Sequence, residues 1–176
     1  MEIFDLYTKD RIKTDKTMVR GTAVPEGYYR LVVHACIFNS EGKMLIQQRQ
    51  SFKPTWPNIW DISVGGAAVT GDTSQTAIER EIFEEIGLNL SFDDIHPSLT
   101  IHLDGVFDDI YTIEKELDIS ELKLQPEEVQ AVKWATKEEI YKLLDDGVFI
   151  PYHKSLIDLL FYMRNHNGTL TNHDKM

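Results

Sequence analysis

The chain has 176 residues, enough for one domain with a full core and little room for a second. Its formal charge of −11, from 18 Lys and Arg against 29 Asp and Glu, excludes non-specific binding to a nucleic-acid polymer and obliges any phosphate-handling site to carry local cations. No run approaches about 20 apolar residues, the opening MEIFDLYTKDR lacks the features of a secretion signal, and the single Cys36 permits no internal disulfide, so a cytoplasmic protein away from membranes is expected.

Residues 1–27 mix charge with Gly21, Pro25 and Gly27 and read as an N-terminal extension, a short strand pair or loop packed on a domain spanning 28–165. Tyr28–Phe38 is rich in β-branched and aromatic residues and predicts a strand. Asn39–Gly42 predicts a turn, and Lys43–Arg49 the antiparallel partner of that strand. Gln50–Ile59 holds Pro54 and Pro57 and reads as a loop, with Trp56 and Trp60 near its end. A helix is expected from Thr73 or Ser74, both good N-caps, to Gly87, a residue type common at left-handed C-caps. Within it Ile78, Ile82 and Ile86 form a core stripe. Strands follow near His96–Leu103, Phe107–Leu117 and Glu128–Trp134. Thr136 and Glu139 then form a capping-box pattern that opens a second helix, and a third runs from Ser155 to Arg164. Its stripe of Leu156, Leu159, Leu160 and Met163 reads as core, and residues 166–176 as a frayed tail. Strands in the middle and helices early and late suit a mixed sheet covered by helices on both faces.

The most informative stretch is 66–88, GAAVTGDTSQTAIEREIFEEIGL. On a helix, Glu81, Glu84 and Glu85 are mutual neighbours beside the isoleucine stripe. Like charges so placed repel, each i,i+4 pair costing roughly 0.2–0.5 kcal/mol. A divalent cation would relieve that repulsion, and hard cations such as Mg²⁺ take carboxylate oxygens while bridging to substrate phosphates.

This stretch resembles the box of the Nudix hydrolase superfamily, G-x5-E-x7-R-E-U-x-E-E-x-G-U, where U is a bulky aliphatic. Gly66, Arg80, Glu81, Ile82, Glu84, Glu85, Gly87 and Leu88 fall in register, and Asp72 stands where the pattern has glutamate. The resemblance implies an α/β/α sandwich around a mixed sheet and a pyrophosphohydrolase acting on a nucleoside diphosphate derivative or related organic diphosphate. It implies Mg²⁺ as cofactor, with Mn²⁺ able to substitute. Glu84 and Glu85 would be the main ligands, Glu81 a ligand or the acid that orients water, and the Gly66 carbonyl a further metal oxygen. Arg80 would orient the glutamates, and Asp72 would fix the loop against the helix. Many members use one more acid outside the box, for which Asp108, Asp109, Glu127 and Glu128 are the candidates.

The segment Gln48-Arg49, Lys53 and Trp56-Pro57-Asn58-Ile59-Trp60-Asp61 resembles the subgroup that includes isopentenyl-diphosphate isomerase. That resemblance implies that Arg49 and Lys53 hold the substrate diphosphate. The isomerase has a catalytic cysteine where this chain has Gly65 and a metal-binding histidine where it has Ala67, so the likeness reaches the scaffold and not the isomerase reaction. The alternatives are a ligand sensor that binds a diphosphate without turnover, for which the shortened Asp72 is the support, and a prenyl-diphosphate isomerase. A homodimer is compatible with the sequence. Cys36 reads as a buried inert thiol, His34 as a satisfied sheet histidine, the tryptophans as packing residues, and Asn58 as a left-handed turn position.

Overall fold

The computed structural model describes residues 2–165. An N-terminal hairpin, β1 (Ile3–Tyr7) and β2 (Lys13–Val19), forms a two-stranded sheet. Seven further strands make the main sheet: β3 (Arg30–Phe38), β4 (Met44–Arg49), β5 (Trp60–Asp61), β6 (Val64–Ala67), β7 (Leu99–Leu103), β8 (Val106–Glu114) and β9 (Val129–Ala135). Their order is β5-β4-β3-β8-β7, with β6 on β3 and β9 on β4. β3 and β8 run parallel from Arg30 opposite Val106 to Phe38 opposite Glu114, and the other pairs are antiparallel.

Alternation along β3 sends Leu31, Val33, Ala35 and Ile37 to one face, where they pack on Ile78, Ile82 and Ile86 of α1 (Ser74–Ile86). On the other face Cys36 and Phe38 join Ile140 of α2 (Lys137–Asp145) and Ile157, Leu160 and Phe161 of α3 (Lys154–Met163). The mixed sheet between helices is therefore as expected. Both expected helix starts carry capping boxes, on Thr73 and Thr136, and Gly87 closes α1 at φ 71° with its N–H on the Phe83 carbonyl at 2.9 Å. Strand ends shift by a few residues: β7 begins at Leu99 rather than His96, and β8 ends at Glu114 rather than Leu117. The expected tail at 166–176 lies outside the described residues. No described helix is long and apolar enough to cross a membrane.

One pairing corrects the sequence reading. Lys43–Arg49 is not the partner of β3 along its length: the two strands pair only at Phe38 opposite Met44, and β4 lies between β5 and β9. Ser63 is the reason. Its buried hydroxyl accepts the Ile37 N–H at 2.8 Å and donates to the Leu45 carbonyl at 2.5 Å, so a side chain satisfies the backbone groups of two parted strands. The gap opened beside β3 is taken by β6, whose VGGA sequence carries little strand propensity.

The hairpin is tied to the main sheet. Tyr7 and Tyr29 exchange backbone hydrogen bonds at 2.8 and 2.9 Å, and Arg11, at the hairpin turn, forms an ion pair with the fully buried Asp109. Replacing Ser63 with alanine leaves the Ile37 N–H and the Leu45 carbonyl unpaired in the core. The expected loss of stability is about 1–3 kcal/mol, measured by urea unfolding; no change would show that the wedge is not needed.

Candidate active site

α1 and β6 build the acidic half of the site. Glu85 does not lie on the flank of the isoleucine stripe, as the helical wheel suggests, but within the buried face of α1, at 5 % exposure. Its carboxylate accepts the Gln47 side-chain amide at 3.0 Å and the Gly65 backbone N–H, yet burial and the neighbouring Glu81 push its pKa up to about 8. Glu81 is also largely buried, and burial raises its pKa although Arg80 opposes the shift. Glu84, one turn along on the rim, is about half exposed.

Arg80 organises this cluster. Its Nη1 donates to Glu81 at 2.8 Å and to Glu84 at 3.2 Å, and its Nη2 to Asp72 at 2.9 Å and the Ala67 carbonyl at 3.0 Å. Asp72 in turn accepts the Val69 N–H at 3.0 Å, which closes the loop between β6 and α1. One methylene less than glutamate still reaches both the loop backbone and the guanidinium. Gly66 is dictated by the same contact, since a Cβ there would overlap the Glu81 carboxylate.

Among the described residues no three acidic, His or Cys side chains converge into a ready-made metal site. Arg80 holds Glu81 and Glu84, while Glu85 turns inward to Gln47 and Gly65. The donor set nevertheless fits a hard divalent cation. Two largely buried carboxylates whose pKa values burial raises would both be relieved by one, and Glu84 stands beside them.

The other half of the site is cationic. A cleft of about 440 Å³ is lined by Gly65, Gly66 and Ala67 of β6, by His34 and Asp61, and by three arginines, Arg20, Arg30 and Arg49. Arg30 is half-buried beside the Phe4 ring and has no carboxylate within ion-pair distance among the described residues; burial and the charge of Arg20 depress its pKa. Among the described residues the Arg49 side chain meets only the Thr55 carbonyl, at 3.4 Å, and Arg20 pairs with the exposed Glu2 at 2.7 Å. Cations gathered with so little counter-charge suit an anion.

Of the two substrate-binding residues expected from the resemblance, the structure brings Arg49 to this cleft and not Lys53, whose ammonium lies on Glu128 at 2.5 Å. Arg20 and Arg30 escaped the sequence reading. Arg30 carried a weak signal, as a charge at the start of a largely apolar strand; Arg20, at the far end of a hairpin, carried none.

The four candidate acids outside the box separate clearly. Asp109 is consumed by Arg11, Ser74 and Thr100, which hold its pKa low against burial. Glu127 is exposed. Asp108 binds His34 Nδ1 at 2.7 Å. Glu128, held by Lys53, is the one whose charge acts on Glu85. His34 is indeed satisfied within the sheet, but its ring also forms a wall of the cleft and fills the space in which any side chain at Gly65 would sit. Cys36 is fully buried, and burial raises its thiol pKa out of reach. Trp56 departs from the packing role expected of it, being 51 % exposed, whereas Trp60 lies under Lys133 at 4.5 Å.

Comparison with known proteins places this arrangement. The family model described as the NUDIX domain matches residues 28–157. An uncharacterised Nudix hydrolase of Listeria innocua is 42 % identical over 165 residues, covering 94 % of this chain and 96 % of its own. An isopentenyl-diphosphate Delta-isomerase of Enterobacter is 26 % identical over 125 residues, covering 65 % of this chain and 66 % of its own. Among solved structures, DR0079 from Deinococcus radiodurans superposes with a TM-score of 0.70 at 24 % identity, over 90 % of this chain and 97 % of that one, a likeness of fold. With eight of nine box positions in register and the family model spanning the sheet and all three helices' starts, the chain belongs to the Nudix family and is a hydrolase of diphosphate bonds.

Proposed function

We propose that the protein is a Mg²⁺-dependent pyrophosphohydrolase of small organic diphosphates, with Glu81, Glu84, Glu85 and the Gly66 carbonyl holding the metal and Arg20, Arg30 and Arg49 the substrate phosphates. The observation that carries this reading is the position of Gly66, which touches the Glu81 carboxylate and also lines the arginine cleft. A divalent cation and a phosphate chain seated on these residues would therefore be in contact. Bound there, the cation supplies charge neutralisation of the diphosphate and acidification of water.

The chain's own residues account for the rest. The arginines fix the phosphates and exclude free rotation. Water adds its oxygen to one phosphorus, the bridging P–O bond breaks, and the departing phosphate leaves with the bonding electrons. The water proton goes to Glu81 through a carboxylate oxygen not engaged by the metal, with Arg80 fixing the side chain. Arg80 holds Glu81 and Glu84 in position, and Glu128 acts on the same centre from outside the helix. A cytoplasmic setting belongs to the same reading, supported by the single buried Cys36.

The isomerase reading lacks its thiol: position 65 is glycine, and the His34 ring takes up the space that a side chain there would need. The sensor reading rested on Asp72, and Asp72 makes both contacts its position demands.

The glutamine variant of Glu84 is the direct test of catalysis. Because this residue is half exposed, Glu84→Gln should fold normally and lower kcat by about 10²–10³-fold, the usual cost of one preorganised electrostatic group. Undiminished turnover of a diphosphate substrate would remove the metal assignment. Arg30→Ala should reduce kcat/KM by about 10- to 150-fold, corresponding to about 1.5–3 kcal/mol for a hydrogen bond to a charged group, and an unchanged value would take the phosphates out of this cleft.

Glu85 also sets a pH dependence of stability. Its folded pKa of about 8 lies above the ordinary 4.5, so the folded chain keeps a proton that the unfolded chain loses between those values. Metal-free protein should therefore lose stability as pH rises from 5 to 8. Mg²⁺, which favours the ionised form, should raise Tm more at pH 8 than at pH 5.5, by several degrees given about 2–4 °C per kcal/mol. Glu85→Gln should flatten both effects in calorimetric scans; an identical pH profile in that variant would assign the slope elsewhere.

A further inference from the structure

A second cavity, of about 260 Å³, opens on the face of the sheet that carries the arginine cleft. Strand alternation puts Arg30, Val32 and His34 on that face, beside Asp108 and Ile110 of β8, with Ile101 of β7 opposite Asp108. The cavity lies toward β7 and beneath α3. Its walls are Ile62, Ile101, Ile110, Leu156 and Leu160, with the half-exposed Leu103 on the same strand as Ile101. Among the described residues, polar side chains enter it only from His34, Asp108, Tyr152 and His153. Among these, the Asp108 carboxylate is engaged by His34 Nδ1 at 2.7 Å, and the Tyr152 hydroxyl donates to Asp61 at 3.0 Å. Little is left to recognise a sugar.

His34 lines both spaces. One edge of its ring faces Gly65 in the arginine cleft, and its Nδ1 is anchored to Asp108 in the apolar wall. The Tyr152–Asp61 hydrogen bond also joins a wall of the cavity to a wall of the cleft, so the two spaces adjoin at His34 and at this pair, and the apolar and phosphate ends of one ligand would lie side by side.

We propose that this cavity receives the organic group of the substrate, and that the group is an apolar hydrocarbon rather than a ribose or other sugar. The inference rests on the phosphate site proposed above and names the substrate class for it: a diphosphate ester with an aliphatic substituent. The walls favour it by burial of apolar surface, at about 0.8 kcal/mol per methylene, or about fourfold in affinity. His34, clamped by Asp108, acts as a positioning residue that marks the boundary between the two subsites. Polyhydroxylated groups are rejected because the cavity would strip water from their hydroxyls without returning hydrogen bonds.

The test uses non-hydrolysable methylenebisphosphonate monoesters carrying methyl to octyl chains, with a uridine ester as the sugar-containing arm, titrated by calorimetry into the whole protein with Mg²⁺. Kd should fall about fourfold per methylene and reach a plateau as the cavity fills, and the uridine ester should bind more weakly than the hexyl ester. Ile101→Trp and Leu156→Trp, each narrowing the cavity from a different element, should collapse the hexyl-to-methyl affinity ratio at least tenfold; circular dichroism identifies any variant that fails to fold, and the wild-type series then stands alone. Equal Kd values across the chain lengths, or tighter binding of the uridine ester, would overturn the apolar subsite while leaving the phosphate site in place. Failure of every ester, the methyl one included, to bind in the presence of Mg²⁺ would overturn both.

Discussion

Two adjacent glycines in β6 are the constraint on which this site depends. Neighbouring residues of a strand point to opposite faces, so Gly65 and Gly66 clear space on both sides of the sheet at one level. On the α1 side the Glu81 carboxylate comes down onto Gly66; on the other side the His34 ring comes down onto Gly65. A Cβ at either position would displace its neighbour. The absence of two side chains thus lets an acidic helix and a histidine-bearing strand approach the same short segment, and that approach brings the glutamate cluster against the arginine cleft. The strand that carries the glycines is weak in propensity and exists because Ser63 parts β3 from β4 and leaves β3 with an edge to pair.

Charge is distributed so as to serve that junction. With a net charge of −11, the molecule as a whole repels phosphate. Locally the balance reverses: Arg20, Arg30 and Arg49 meet in one cleft, and among the described residues Asp61 is the only carboxylate that lines it. Burial raises the pKa of Asp61, against the pull of His34, the Ile62 N–H, Tyr152 and Arg49. Next door the imbalance is opposite, with carboxylates whose pKa values are raised by their burial and by one another. Each half is unfavourable alone. On the proposed reading, a divalent cation on a diphosphate would satisfy both, and the binding free energy so released would serve to position the reacting atoms.

The N-terminal hairpin belongs to this arrangement. Phe4 and Met18 form part of the cleft wall, and Arg20 follows directly from β2. The hairpin is kept in place by the backbone exchange between Tyr7 and Tyr29 and by Arg11, which delivers its guanidinium to the buried Asp109. Asp109 is consequently a structural acid, although in the sequence it stands beside Asp108 with nothing to tell the two apart. Parallel pairing with β3 sends Asp108 to His34 and Asp109 to the opposite face, where Ser74 at the start of α1 also holds it.

The bounds and apolar face of helix α1 were legible because what specifies them is local, although the burial of Glu85 was not. Caps at Thr73 and Gly87, a four-residue apolar repeat, and three acids on neighbouring turns all lie within one short stretch of chain. The family and its chemistry follow from that spacing, and so do the capped start of α2 and the mixed-sheet class. The sequence could not say which strand lies beside which, since Ser63 acts across residues 37 and 45 and no periodicity records it. Nor could it say that Lys53 is spent on Glu128 while Arg30 is left without a carboxylate, or that an apolar cavity adjoins the phosphate cleft at His34. Local spacing therefore determined the catalytic helix by itself; the partners of each charge, and with them the shape of the substrate site, were decided only when segments far apart in the chain were packed together, because ion pairing and burial are properties of three-dimensional neighbours.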